Sequence, residues 1–190
     1  MANAKPPLLL HVCCGPCSTA VIQRLQPRFD VTLFFANANL HPEDEHDRRL
    51  EAARQVAAKL ELPLVEAKDD HSLWLQAVQG MEWEKEGGAR CDVCFRFRLE
   101  QTAREADARG MDYFATTLTI SPHKDAKRIG EIGRRATMNR KVVFLNEDFK
   151  KRDGFRKSVQ MSREMGLYRQ KYCGCEFSFK NRRQKTDNTE

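Results

Sequence analysis

Seven cysteines in three groups are the residues of this sequence most suited to chemistry. Cys13, Cys14 and Cys17 belong to the stretch His-Val-Cys-Cys-Gly-Pro-Cys-Ser, which follows the apolar run Leu-Leu-Leu. A single cysteine is often a small buried hydrophobe. Three cysteines at one turn are better explained by metal binding or redox chemistry.

The second group is a Cys-x-x-Cys pair, Cys91 and Cys94, at the start of a predicted helix. A helix N-terminus favours thiolates. Together with Cys13 and Cys14, this pair supplies four thiolates, the usual number for an iron–sulfur cluster or a structural zinc. Adjacent side chains diverge, so Cys13 and Cys14 favour bonds to two different metal atoms. Zinc remains the alternative.

The third group is Cys173-Gly174-Cys175. A disulfide between Cys173 and Cys175 closes a very small ring, so we expect it to be strained and easily reduced. That property suits a dithiol that gives up two electrons, forms the disulfide and is then reduced again. The alternatives are two further metal ligands or two surface thiols.

Alternating strands and helices must position these groups. The pattern predicts an α/β fold with a doubly wound parallel sheet. The first cysteines then lie at the carboxyl end of the first strand, where open α/β sheets bind ligands. The predicted strands are residues 8–12, 30–35, 63–66, 113–118 and 141–145, and the predicted helices are residues 19–26, 43–60, 73–79, 91–109, 125–138 and 155–165.

Length and charge fit a basic protein of one domain. We expect residues 1–190 to form one domain, with a core of about 8–180 and a disordered basic tail at 181–190. The net charge of +6 and pI near 9.0 favour a polyanion such as RNA as partner. No apolar run could span a membrane, and the N-terminus lacks a signal-peptide core, so we predict a cytoplasmic location.

Polar residues near the predicted site suggest substrate contacts. Asn39 and His41 follow the second strand, although both are also ordinary turn residues. Tyr168 and Arg169, just before the third cysteine group, could stack on and bind an unpaired RNA base. Adenylating enzymes of this topology carry a Ser-Gly-Gly-x-Asp-Ser type loop after the first strand. Cysteines stand there instead, so we expect no ATP-driven adenylation.

Several motifs together resemble the QueH family of epoxyqueuosine reductases, from about residue 8 to 180. Departures from the family pattern are Phe35, Ala38 and His123, which leave the thiols intact. The motifs are Leu10-His11-Val12-Cys13-Cys14-Gly15-Pro16-Cys17-Ser18, Asn39-Leu40-His41-Pro42 with Glu45 and Arg49, Ala89-Arg90-Cys91-Asp92-Val93-Cys94-Phe95 with Arg98-Leu99, Thr116-Thr117-Leu118, Ser121-Pro122-His123-Lys124, and Tyr168-Arg169-Gln170 through Tyr172-Cys173-Gly174-Cys175.

The resemblance implies a HUP-like (adenine nucleotide alpha-hydrolase-like) three-layer sandwich and the reduction of epoxyqueuosine to queuosine at the tRNA wobble base. It also implies a redox-active disulfide between Cys173 and Cys175. A second, mononuclear iron beside the cluster is consistent with it, with Cys17 or Asp92 as a ligand, and the electron donor is left unidentified. The implied ligands of a [4Fe–4S] cluster are Cys13, Cys14, Cys91 and Cys94.

Epoxide reduction also needs a general acid to protonate the leaving oxygen. Asp92, His11 and His41 are the candidates, and the sequence does not choose among them. Two other functions stay open on the residues alone. One is a tRNA sulfur transferase that uses a cluster and reactive thiols, and the other is a zinc-stabilised RNA-binding module without enzymatic activity.

Overall fold

A five-stranded sheet, parallel throughout, forms the centre of the protein. The strands are β1 (Pro7–His11), β2 (Asp30–Phe35), β3 (Leu64–Glu66), β4 (Tyr113–Thr116) and β5 (Val143–Phe144). Their order across the sheet is β3-β2-β1-β4-β5. Leu10 of β1 pairs in register with Leu33 of β2 on one side and with Ala115 of β4 on the other.

Helices cover both faces of this sheet, because β1 is apolar on both sides. The helices are α1 (Gly15–Leu25), α2 (Glu43–Lys59), α3 (His71–Ala77), α4 (Ala89–Ala108), α5 (Ala126–Ala136) and α6 (Gly154–Glu164). Leu8 and Leu10 pack into a core with α1 and α2, and Leu9 packs into a second core with α4 and α5. The result is a three-layer sandwich, which confirms the predicted α/β architecture.

Several element boundaries differ from the sequence prediction, and two of the differences change the surroundings of the first cysteine group. Helix α1 begins at Gly15 rather than at residue 19, because Pro16 fits the first helical turn. Strand β4 ends at Thr116, and a 3₁₀ turn, Thr117–Ile120, replaces its predicted last residues. The Thr116 hydroxyl accepts a hydrogen bond from the Leu118 N–H and so caps this turn.

Gly15 allows α1 and α2 to approach closely. A Cβ at this position would lie 2.3 Å from the Ala52 carbonyl oxygen. Gly15→Ala is therefore expected to push the two helices apart and to lower the free energy of unfolding by about 1–3 kcal/mol. Urea unfolding of the metal-free protein measures this loss. Gln23→Ala, on the exposed face of α1, is the control and should change stability by less than about 0.5 kcal/mol; an equal effect of both substitutions would contradict the prediction.

The computed structural model describes residues 4–179. The basic tail predicted at 181–190 lies outside these residues. Among the described helices, none combines the length and the apolar character that crossing a membrane would require.

Candidate active site and metal centre

The first cysteine group lies where the strand order of the sheet reverses. From β1 the chain builds the sheet outward through β2 and β3, then returns to the other side of β1 with β4. The carboxyl ends of β1 and β4 therefore flank a crevice of the kind that binds ligands in such folds. Cys13 and Thr117 meet there. The Cys13 N–H donates to the Thr117 hydroxyl oxygen (3.0 Å), and that hydroxyl donates to Cys13 Sγ (3.2 Å).

Cys13, Cys14 and Cys17 form a thiol triad, whose three Sγ atoms all lie within 4.8 Å of one another. Cys17 takes part because it lies in the first turn of α1. The side-chain amide of Gln170 donates to Cys14 Sγ (3.0 Å) and also approaches Cys17 Sγ (3.7 Å). Three convergent sulfurs suit a soft metal ion or an iron–sulfur cluster, so the residues present fit such a group.

The thiols of the triad share their protons unequally. Hydrogen bonds from the Cys14 and Cys17 thiols hold the pKa of Cys13 well below its usual range. Burial raises the pKa of Cys14 to about 12, and the hydrogen bond to Cys13 raises that of Cys17. The triad therefore holds its protons preferentially on Cys14 and Cys17. Because metal ligation requires thiolates, binding at this group would release protons.

The other two cysteine groups meet beside this triad. Cys91 and Cys94 lie in the first turns of α4, and burial raises the pKa of both. Cys173 and Cys175 have their Sγ atoms 3.6 Å apart. All four line one small cavity of about 40 Å³.

A larger cavity of about 570 Å³ adjoins the small one and is lined by Cys13 and Cys17. Cys173 lines both cavities, and so do Arg98 and Lys124. The structure thus places all three cysteine groups around two adjoining cavities. It brings Cys17, rather than Cys91 or Cys94, next to Cys13 and Cys14. The four-cysteine ligand set given by the resemblance stays a prediction.

The predicted substrate contacts divide into two kinds. Asn39 is 2% exposed and lines the small cavity, and Arg169 lines the large one. Tyr168 and His41 line neither. The Tyr168 hydroxyl donates to Glu45 Oε2 (2.5 Å), and the His41 ring stacks on that of His71 at 5.6 Å.

The candidate general acids also differ in their surroundings. His11 is buried, bonded to Thr116 and to the Ala36 carbonyl, and desolvation lowers its pKa to about 3, so it is neutral at pH 7. Asp92 is hydrogen-bonded to Arg128 and lines neither cavity.

A buried ion pair holds the third cysteine group in place. Arg49 donates through Nε to Glu45 Oε1 (2.7 Å) and through its two terminal nitrogens to the carbonyl oxygens of Cys173 and Tyr172 (both 3.1 Å). Both members of the ion pair are at most 2% exposed. The sequence showed their i, i+4 spacing on α2 but not what the guanidinium binds. Gln170 was likewise missed as a partner of the triad.

Cys173 is expected to be the reactive thiol of the third group. The hydrogen bond between the Cys173 and Cys175 thiols lowers the pKa of Cys173 to about 6 and raises that of Cys175. In metal-free protein, iodoacetamide should therefore label Cys173 with a half-maximal rate near pH 6, because the thiolate is the nucleophile. Cys175→Ala removes this hydrogen-bond partner and should move the midpoint upward by at least about one pH unit. Peptide mass spectrometry gives the profile, and an unshifted midpoint in Cys175→Ala would refute this assignment.

Comparison with known proteins identifies the family to which the chain is similar. Residues 8–181 match the family described as epoxyqueuosine reductase QueH. The chain is 41% identical to that enzyme from Streptococcus pyogenes serotype M1, covering 94% of this chain and 72% of the relative. It is 37% identical to the Thermotoga maritima enzyme, covering 94% and 93%.

Among solved structures, the U34-tRNA thiolase NcsA from Methanococcus maripaludis with its [4Fe-4S] cluster is similar in fold. Its TM-score is 0.57 at 14% identity, covering 93% of this chain and 62% of the thiolase. The likeness confirms the predicted three-layer α/β fold. Since the family match extends from β1 to beyond the third cysteine group, the chain belongs to the QueH family of epoxyqueuosine reductases.

Proposed function

We propose that this protein reduces epoxyqueuosine to queuosine at the wobble position of tRNA. Family membership supports the reaction. The observation that carries the proposal is that one cavity is lined both by the thiol triad, through Cys13 and Cys17, and by the third group, through Cys173. Groups suited to metal binding and a two-electron thiol pair therefore face the same space.

The proposed reaction balances with one dithiol per turnover. Oxidation of Cys173 and Cys175 to a disulfide releases two electrons and two protons. The epoxide accepts both: its two C–O bonds break, a C=C bond forms, and the oxygen leaves as water. The 3.6 Å between the two sulfurs permits disulfide formation after a small rotation. An external reductant, which this proposal leaves unidentified, regenerates the dithiol.

The metal site is proposed in two parts. Cys13, Cys14, Cys91 and Cys94 are the proposed ligands of a [4Fe–4S] cluster, and Cys17 is the proposed ligand of a second, mononuclear iron. An iron–sulfur cluster supplies single-electron transfer when it is bound. Burial raises the pKa of Cys94 and hydrogen bonds lower that of Cys13, and the positive charge of buried Arg98 favours the thiolate of both, so Arg98 would offset part of the negative charge of the ligands.

The large cavity suits a nucleotide of tRNA. Its volume of about 570 Å³ is within the range of small-ligand sites. The wall of this cavity carries five cationic side chains but only one carboxylate, that of Glu86, and this excess of positive charge favours a phosphate-bearing substrate. Asn39, His41, Tyr168 and Arg169 are the proposed substrate contacts: Arg169 lines this cavity and Asn39 the small one, whereas His41 and Tyr168 line neither and would contact the tRNA outside them. The cations in the wall are Arg49, Arg98, Lys124, Arg169 and Lys171.

A proton must reach the leaving oxygen. Asp92 remains the proposed general acid. Tyr172 lines the large cavity, but its hydroxyl donates to the His41 carbonyl oxygen, so its proton is already engaged within the protein. His11 is neutral and engaged at both ring nitrogens, which makes it a structural residue in this proposal.

The test uses anaerobically reconstituted protein and tRNA that carries epoxyqueuosine. Nucleoside mass spectrometry should show conversion to queuosine with a chemical reductant. Brown protein with broad visible absorption would support bound iron and sulfide. A colourless protein with one zinc that binds tRNA without changing it would instead favour the RNA-binding module. A thiolated nucleoside would favour the sulfur transferase.

A further inference from the structure

A second group of metal-ligating side chains lies apart from the thiol triad. His41 is in the loop after β2, His71 is the first residue of α3, and Glu176 directly follows the third cysteine group. One ligand atom from each lies within 4.8 Å of the others. The His71 Nε2 to Glu176 Oε2 distance is 3.6 Å. The proposed function uses neither His71 nor Glu176.

The hydrogen bonding of His71 is that of a metal ligand. Its Nδ1–H donates to the Ala38 carbonyl oxygen (2.7 Å), so the neutral ring carries its lone pair on Nε2. This Nε2 is buried and makes no hydrogen bond. Metal-binding histidines are oriented in this way, by a backbone carbonyl on the nitrogen opposite the metal.

An ion pair alone explains this arrangement less well than a metal ion does. The imidazole rings of His41 and His71 are stacked at 5.6 Å with 24° between their planes. Nε2 of His71 and Oε2 of Glu176 are 3.6 Å apart, which is longer than a hydrogen bond. A single cation between the three side chains binds both atoms and satisfies Nε2 of His71. All three residues are half-buried, which leaves an ion a route from solvent.

We propose that His41, His71 and Glu176 bind one divalent transition-metal ion of the zinc type, separately from the cysteines. Two histidines and one carboxylate are a common ligand set for zinc and for non-haem iron, with the remaining positions open to water.

The ion would fasten the segment that carries the redox pair to the body of the protein. The His41 N–H already donates to the Gly174 carbonyl oxygen (2.9 Å), and the Tyr172 hydroxyl donates to the His41 carbonyl oxygen. Glu176 lies at the other end of the same segment. A bridge from Glu176 to His41 and His71 adds a connection to α3 and to the loop after β2, so all three are positioning residues for Cys173 and Cys175.

The test uses the full chain after reconstitution with iron and sulfide, so that the cysteine sites are loaded first. Zinc is then titrated and counted by elemental analysis, and X-ray absorption at the zinc edge identifies its ligands. We expect one zinc per chain with nitrogen and oxygen ligands and no sulfur. His71→Gln and Glu176→Gln should each weaken its binding at least about tenfold. His46→Gln changes a histidine outside the His41, His71 and Glu176 site, so this control variant should bind zinc as the wild type does.

Hydrogen exchange provides a readout of the positioning role. Zinc should slow exchange at the His41 amide in the wild type and in His46→Gln, but not in His71→Gln. Three results would overturn the proposal: no zinc bound beyond the cysteine sites, sulfur among the ligands of the bound zinc, or unchanged zinc binding in both His71→Gln and Glu176→Gln. Because none of these measurements involves turnover, the outcome is independent of whether the protein reduces epoxyqueuosine.

Discussion

Cys173→Ser is expected to lower turnover by more than about a thousandfold while iron content stays unchanged. A serine hydroxyl cannot be oxidised to a disulfide, so the pair can no longer deliver two electrons together. Cys175→Ser should cause a similar loss, and the double variant should lose little more, because the two sulfurs act as one unit. Single-turnover conversion of epoxyqueuosine by the pre-reduced protein is the measurement.

Iron content and visible absorption are the internal controls for these variants, since the substituted residues are not the proposed cluster ligands. The dithiol relay would be disproved if Cys173→Ser kept the full rate both with a chemical reductant and with the physiological electron donor. Loss of iron together with turnover would instead assign Cys173 to the metal site.

Arg49→Met is expected to lower the free energy of unfolding by about 3–5 kcal/mol. It removes the guanidinium from Glu45, whose carboxylate is 1% exposed and would lose its closest partner. It also removes the hydrogen bonds to the carbonyl oxygens of Cys173 and Tyr172. Urea unfolding of metal-free protein measures the stability, and the native-state alkylation rate of Cys173 should rise.

The double variant Glu45→Gln with Arg49→Met is the matched control for this prediction. It removes the buried carboxylate that the single variant leaves behind, so it should recover a substantial part of the lost stability. Alkylation of Cys173 should remain fast in the double variant, because the hydrogen bonds to the backbone are still absent. A loss below about 1 kcal/mol in Arg49→Met would show that the buried pair contributes little.

The sheet was predictable because its strands are short apolar runs followed by polar turns. Strand β2 has the predicted bounds, Asp30–Phe35. The errors occur where local hydrogen bonds compete with regular structure. Thr116 caps a 3₁₀ turn that ends β4 early, and Pro16 allows α1 to begin at Gly15. Neither effect changes the hydrophobic pattern from which the elements were predicted.

The membership of the thiol triad follows from one of these errors. The prediction started α1 at residue 19 and left Cys17 outside the helix. With α1 starting at Gly15, Cys17 lies in the first turn and its sulfur comes near those of Cys13 and Cys14. The motif predicts which residues bind a metal or carry electrons, but the grouping of their sulfur atoms depends on where the helix begins.

The other contacts of the site are tertiary. Gln170 reaches Cys14 across 156 positions of sequence, and Arg49 reaches Cys173 across 124. No local periodicity encodes such pairs, so only the fold reveals them. The sequence could suggest Tyr168 and Asn39 as polar residues near the site, but not that one binds Glu45 and the other lines a cavity.

The position of Arg49 on α2, with its hydrogen bonds to Tyr172 and Cys173, has a consequence for biosynthesis. Cys13, Cys14 and Cys17 leave the ribosome before the sheet is complete, whereas Cys173 and Cys175 emerge only after its five described strands. Chains fold from the N-terminus as they are synthesised. A nascent chain therefore carries the proposed metal ligands of the thiol triad well before it carries the proposed redox pair, whose segment is positioned only once Arg49 has bound the carbonyl oxygens of Tyr172 and Cys173.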